Sequence, residues 1–199
     1  MSKNVVIDWV FEPSPTSGAR TGGNVAEYAF RPDIETFVRE IIQNVLDNAS
    51  SNGEGAKVTF RLVFLKGEPL KEFLNALHWN QLRPHLEAAG YQKTGLPFGQ
   101  ALSRFDASDS LLLLVVEDKN TTGLTGDEKG DSNFASLCRN TLYSNKSSET
   151  AGGSYGLGKA VLWLFSDFST VVFNSVLEIE TSLGKSPRLI GRSEVTAQA

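Results

Sequence analysis

The segment Phe37-Val38-Arg39-Glu40-Ile41-Ile42-Gln43-Asn44-Val45-Leu46-Asp47-Asn48 leaves little choice of local structure. Its apolar residues recur at three- and four-residue intervals, the period of an α-helix, and no proline or glycine interrupts them. Drawn at about 100° per residue, Glu40, Asn44 and Asp47 fall within about one sixth of a turn, while Val38, Ile41, Ile42, Val45, Leu46 and Ala49 cover the opposite side. One polar stripe thus carries an acid, an amide and a second acid. A glutamate can take a proton from water, and an amide oxygen is a hard neutral ligand for magnesium, an ion that keeps waters and substrate phosphates around itself. A solvated face is the other reading of the stripe, because most amphipathic helices turn their polar side to water.

Around this helix, placed at about residues 33 to 50 by Pro32 and Asp33 before it and Asn52-Gly53-Glu54-Gly55 after it, the chain alternates element types. Residues 4 to 11 read as a short strand, and the Pro/Gly/Ser/Thr segment from Glu12 to Asn24 as a loop or arm. Lys57 to Leu65 alternates and is rich in β-branched and aromatic residues, as a half-buried strand would be. Glu68 to Leu77 has helical spacing, and the stretch from there to about Arg104 is not assigned. Ser110 to Asp118 is a continuous apolar run ending in two acids, the pattern of a central strand buried on both faces, with Asp118 where it opens into a loop. A Gly/Ser/Thr/Asn-rich region follows to Gly158, with one helix at about 132 to 143. It leads into a helix from Lys159 to about Phe165 and strands near 168 to 177 and 187 to 195. Evenly spaced βαβ units are too few for a doubly wound parallel sheet.

Composition removes several chemistries. With 40% apolar and 21% charged residues over 199 positions, the chain can bury the core of one large domain. A net charge of -4 argues against a surface built to coat nucleic acid. Cys138 is the only cysteine and His78 and His85 the only histidines, at no zinc-binding spacing, which disfavours disulfides, thiolate clusters and zinc hydrolysis. No run is long enough to span a bilayer, and a reducing, cytoplasmic setting is expected. Trp9, Trp79 and Trp163 read as core residues, since no basic stripe is interleaved with them.

Gly152-Gly153-Ser154-Tyr155-Gly156-Leu157-Gly158-Lys159 lies just before a helix, where backbone amides and the helix amino terminus suit an anion such as phosphate; a glycine turn with no ligand is the alternative. The P-loop pattern fails because Ala160 follows Gly158-Lys159, and the dinucleotide fingerprint fails because no buried strand directly precedes the glycines.

Three pieces thus stand in order: Glu40-x3-Asn44-x2-Asp47, then Asp118 with Gly123, then Gly153-x2-Gly156-x-Gly158. Over about residues 24 to 195 the chain resembles the GHKL ATPase superfamily, named for gyrase, the large heat-shock chaperone, histidine kinases and MutL, whose members share the Bergerat ATP-binding fold. The resemblance implies an α+β two-layer sandwich, with a mixed, mostly antiparallel sheet covered on one face by helices and a mobile ATP lid at about 125 to 153. Residues 1–23 would form an N-terminal strand and arm, and 24–199 the ATP-binding domain, as the N-terminal module of a longer protein. It further implies that Glu40 is the catalytic base, Asn44 the Mg2+ ligand and Asp47 an acid beside the phosphates. Asp118 would accept the adenine amine, with Gly123 in the same box. Gly153, Ser154, Tyr155, Gly156, Leu157 and Gly158 would close over the phosphates of ATP or ADP, with Lys159 meeting the terminal one.

The chain departs from the family pattern at Asn120, where a glycine is usual, and at Asn48, where alanine is common; the family's late Gly-Thr pair has no counterpart, since Thr196 is not preceded by glycine. The function implied is a Mg2+-dependent ATPase that converts ATP and water to ADP and phosphate, its nucleotide state controlling lid closure and homodimerisation. The process driven is not specified, downstream domains or partners are unnamed, no membrane is involved, and nucleic acid enters only through a parent assembly. The alternatives are a non-hydrolysing ATP/ADP sensor or interaction module, and a histidine kinase catalytic domain. Glu40 speaks against the kinase, which usually has asparagine there.

Overall fold

The computed structural model describes residues 8–11, 33–90, 98–140, 158–178 and 187–195. The chain is a mixed α+β protein of two compact units. One comprises the described residues of Asn24–Arg61 and Val115–Glu194; the other comprises those of Met1–Gly23 and Leu62–Leu114, with Val195. Every described residue of the candidate site falls in the first. No helix among the described residues is long and apolar enough to cross a membrane.

Helix α1 spans Ile34–Asp47. It starts where the Asp33 carboxylate accepts the amide of Thr36 at 2.7 Å, a side-chain cap that satisfies an amide left open by the first turn. It stops three residues short of the expected end because Asn48 leaves the helix, its side-chain amide donating to the Asn44 carbonyl at 2.8 Å, and Ala49 forms an isolated antiparallel bridge with Thr121. Phe37, Ile41 and Val45 face the core. Phe37 and Ile41 pack with Val161 against Val38, Val58, Val116, Leu162 and Phe165, and the Phe37 and Phe165 rings lie 4.4 Å apart. The expected apolar side is therefore only half covered: Ile42 and Leu46 remain 42% and 63% exposed. A helix resting on one layer buries an arc centred on one row, and that row here is Phe37-Ile41-Val45.

Strands β1 (Lys57–Lys66) and β2 (Ser110–Lys119) pair in a two-stranded sheet. β1 forms the expected strand, but the half-burial expected of it is corrected: none of its residues is fully buried, and Phe60, Leu62 and Phe64 are 39%, 69% and 64% exposed. The expectation that β2 is buried on both faces is corrected, with Leu112 and Leu114 59% and 41% exposed. Among the described residues β1 is its only strand partner, and an apolar run by itself does not supply a second covering layer. β2 also carries Asp118 within the strand and ends one residue later.

Antiparallel β3 (Thr170–Ser175) and β4 (Arg188–Ser193) form a second sheet, in register from Thr170 opposite Ser193 to Ser175 opposite Arg188. The expected helix after Lys159 is a tight turn, Gly158–Ala160, leading into the one-turn helix Val161–Leu164. The helix expected at 132 to 143 begins at Asn133 and widens at Ala135–Arg139, where the Asn140 amide reaches five residues back to the Ala135 carbonyl at 2.8 Å.

In the second unit α2 (Glu68–Ala76), α3 (Trp79–Gly90) and α4 (Phe98–Ser108) bury Leu70, Leu82, Leu86, Ala89, Phe98 and Leu102. The last two helices occupy the stretch that sequence pattern left unassigned, and Pro84 inside α3 is one reason. Arg83 ties them by a two-pronged bond to Asp106 at 2.7 and 2.8 Å, which holds the Asp106 carboxyl below the ordinary range. The strand expected at 4 to 11 is absent at Asp8–Phe11; residues 4–7 lie outside the described residues. Side chains hold this segment instead: the Trp9 indole N–H donates to the Leu77 carbonyl and Phe11 stacks on His85.

Ile41→Ala is expected to lower unfolding stability by about 3 kcal/mol, through lost burial and a residual cavity, while Ile42→Ala costs under about 1 kcal/mol. Urea denaturation of both variants decides the matter; equal losses would mean that the buried row of α1 is misassigned.

Candidate functional site

Helix α1 meets both the turn that follows Asp118 and the segment that begins at Val161, within one unit. At its carboxyl end the chain is stitched to the turn that follows Asp118. The Ser50 amide donates to the Asn120 carbonyl and the Thr122 amide to the Asn48 carbonyl, both at 2.9 Å, with Ala49 and Thr121 bridged between them. In its amino-terminal half, Phe37 and Ile41 pack against Val161, two residues beyond Lys159. Gly153, Ser154, Tyr155, Gly156 and Leu157 lie outside the described residues, and Gly158 opens the tight turn that carries Lys159.

The polar stripe flanks the buried row of α1. Glu40 keeps only 17% of its side chain exposed and lies 3.6 Å from the Arg39 guanidinium; Asn44 is half buried and Asp47 exposed. An open groove of about 660 Å3 lies on the other flank, bordered by Val38, Ile42 and Leu46, and touches none of the three. Among the described residues no group of three or more His, Cys, Asp or Glu side chains is arranged to hold a metal.

The turn after Asp118 accommodates its unusual residues. Asn120 adopts a φ of +60°, which asparagine tolerates better than most residues, and its side-chain amide donates to the Gly55 carbonyl at 3.0 Å. Gly123 has a φ of +74°, and a Cβ there would sit 2.6 Å from the Val176 carbonyl oxygen. The neighbours of Gly123 are bonded to the chain after β3: the Leu124 amide donates to Ser175 Oγ at 2.9 Å, and the Glu178 amide to the Thr122 carbonyl at 3.3 Å.

Asn48, whose side-chain effect sequence pattern did not reveal, joins α1 to the base of the expected lid. Its Oδ1 accepts from the Asn133 amide at 3.2 Å, and the same amide reaches Thr125 Oγ1 at 3.2 Å. Lys159 turns its ammonium to the carbonyls of Ser136 and Asn140. Burial, then the Arg192 charge, lowers its pKa from the ordinary 10.5 to about 8. Arg192 donates to the carbonyls of Cys138 and Asn140 at 3.3 and 3.4 Å, and its guanidinium lies over the Trp163 ring. Arg188, 8% exposed, donates to the carbonyls of Leu124 and Gly126 at 2.9 and 2.6 Å and covers the Phe134 ring. Burial pushes the Cys138 thiol up to about 12, so it is not a nucleophile at neutral pH. The sequence signal for the two arginines was their even spacing, which puts both on one face of β4.

No family model, curated protein or solved structure matches the chain.

Two outcomes test this geometry. Gly123→Ala combines a disfavoured φ with a backbone clash and is expected to cost about 3 kcal/mol of stability, read from the denaturant midpoint; a loss near zero would contradict the close approach to Val176. For Lys159 the folded pKa lies below the unfolded one, so between about pH 8 and 10.5 the unfolded chain binds more protons and stability rises with pH; the penalty is complete below that window. Wild-type protein should therefore gain stability relative to Lys159→Met as pH rises from 8 to 10. A pH-independent difference would show that the ammonium is not buried.

Proposed function

We propose that the chain is an ATP-binding and Mg2+-dependent ATP-hydrolysing module of the GHKL type, with a Bergerat two-layer α+β sandwich and a lid whose closure follows nucleotide state. The observation that carries this reading is the convergence on α1. The helix bearing Glu40, Asn44 and Asp47 is bonded at one end to the Asp118 turn and packed at the other against the segment that follows the glycine box. The low exposure of Glu40 and the half-burial of Asn44 count against a stripe kept only for solvation.

Asp118 is exposed at the end of β2 and offers acceptor-only oxygens, which suit the exocyclic amine of adenine and repel the guanine carbonyl. Glu40 takes a proton from water at its carboxylate; the water oxygen bonds to the γ-phosphorus as the bond from that phosphorus to the β,γ-bridging oxygen breaks, leaving ADP and phosphate. Asn44 fits magnesium as one neutral oxygen donor, the mode in which the ion takes few protein ligands and keeps waters and phosphate oxygens. Bound there, the ion would neutralise developing phosphate charge. Asp47 stands on the same stripe to orient water around that shell. Lys159 favours the second reading, a non-hydrolysing nucleotide sensor, because its ammonium is bonded to carbonyls of the lid base and not presented outward.

Phosphate release and calorimetry on the full chain separate the two. Hydrolysis predicts phosphate release from ATP with magnesium, lost by more than about a hundredfold in Glu40→Ala with binding retained, and no ATP binding in Asp118→Ala. Binding without release in the wild type supports the sensor, and absence of ATP binding ends both readings.

A further inference from the structure

We propose that Thr121 is the residue that positions Asp118 and thereby sets the preference for adenine over guanine, an inference that rests on Asp118 being the purine-amine acceptor. Asp118 is an exposed side chain near the end of a strand, and a carboxylate in that situation turns freely and presents both oxygens to water. Here it does not. The Thr121 hydroxyl donates to Asp118 Oδ2 at 2.5 Å, and among the described residues Oδ1 has no protein partner.

The donor is itself fixed. Thr121 is half buried and bridged to Ala49, and the backbone bonds of Ser50 to Asn120 and of Thr122 to Asn48 lie on either side of that bridge. The residue before it is locked in a left-handed conformation by the bond from the Asn120 amide to the Gly55 carbonyl. A β-branched side chain on so constrained a backbone has little χ1 freedom, so its hydroxyl is a pre-set donor. With Oδ2 taken, Asp118 offers one oriented acceptor oxygen. An amine donor at the purine 6-position satisfies it, whereas a carbonyl there brings two acceptors together with no proton between them. A carboxylate free to turn would relieve that clash by rotating or recruiting water; one held by a charge-assisted bond relieves it less easily. Thr121 is thus a positioning residue, acting on the base through Asp118.

Calorimetric titration of the full chain with ATP and with GTP tests this. Thr121→Val keeps the branched shape and removes the donor. It is expected to weaken ATP binding on the order of tenfold while changing GTP binding less than about twofold, so that the ATP-over-GTP preference falls on the order of tenfold. Thr121→Ser, which restores a hydroxyl, should recover ATP affinity to within about threefold of wild type. Thr121→Ala provides a second removal of the donor if the valine variant does not fold. An unchanged ATP-to-GTP ratio in the donor-less variant, or no recovery with serine, overturns the role of Thr121. The control is Asp118→Ala: wild-type ATP binding that this variant abolishes, beside an unchanged ratio in Thr121→Val, overturns the positioning role alone. Wild-type protein that does not bind ATP, or Asp118→Ala that binds as wild type does, overturns the adenine-acceptor reading and this one with it.

Discussion

The backbone stitch between the end of α1 and the turn after Asp118 is the constraint on which the candidate site depends. Two bonds of 2.9 Å, Ser50 to Asn120 and Thr122 to Asn48, flank the bridge of Ala49 with Thr121. Each is worth about 1 kcal/mol net, but their effect is geometric: they set where α1 ends, and hence the height of Asn44 and Asp47 relative to Asp118. The same few residues carry the side-chain consequences. Asn48 closes α1 through Asn44 and reaches Asn133, Asn120 holds Gly55, and Thr121 holds Asp118. A helix alone fixes the spacing of Glu40, Asn44 and Asp47 along one stripe, but only an external tie fixes what that stripe faces.

Local periodicity made the elements of this unit legible. The 3.6-residue pattern placed α1, where propensity and burial point the same way, and the β-branched run placed β1 by strand propensity alone. The stretch from Leu77 to about Arg104 resisted, since Pro84 breaks the helical pattern of α3 and the buried row of α4 includes the small Ala101 beside Phe98 and Leu102. β2 misled in another way. A run of leucines and valines predicts burial only if a second layer exists, and the layer is a property of the topology rather than of the run.

In the candidate site, Glu40, Asn44 and Asp118 stand out in the sequence by residue type and spacing. The residues that hold them do not. Asn120 and Thr121 are ordinary turn residues by composition, and Thr121 acquires a role only because Asn120 takes a left-handed φ that directs the next hydroxyl back to Asp118. Gly123 drew attention as part of a motif, yet the physical demand on it is the Val176 carbonyl, more than fifty residues away in sequence.

β4 inverts the usual rule of burial and shows why. Arg188 is buried while Leu189, beside it, is 58% exposed. Burying a guanidinium is costly unless its donors are satisfied, and the irregular backbone of the lid base supplies what they need. The widened turn at Ala135–Arg139, with Asn140, and the bends at Leu124 and Gly126 present carbonyls to Lys159, Arg188 and Arg192, and the two guanidinium planes rest on Phe134 and Trp163. The carbonyls of Ser136, Cys138 and Asn140 receive donors from Lys159 and Arg192, and those of Leu124 and Gly126 receive Arg188, which is how β4 carries two arginines on one face. Hydrophobic patterning cannot express such a pairing, because the exposed leucine is the cost of placing the arginine where the backbone needs a donor.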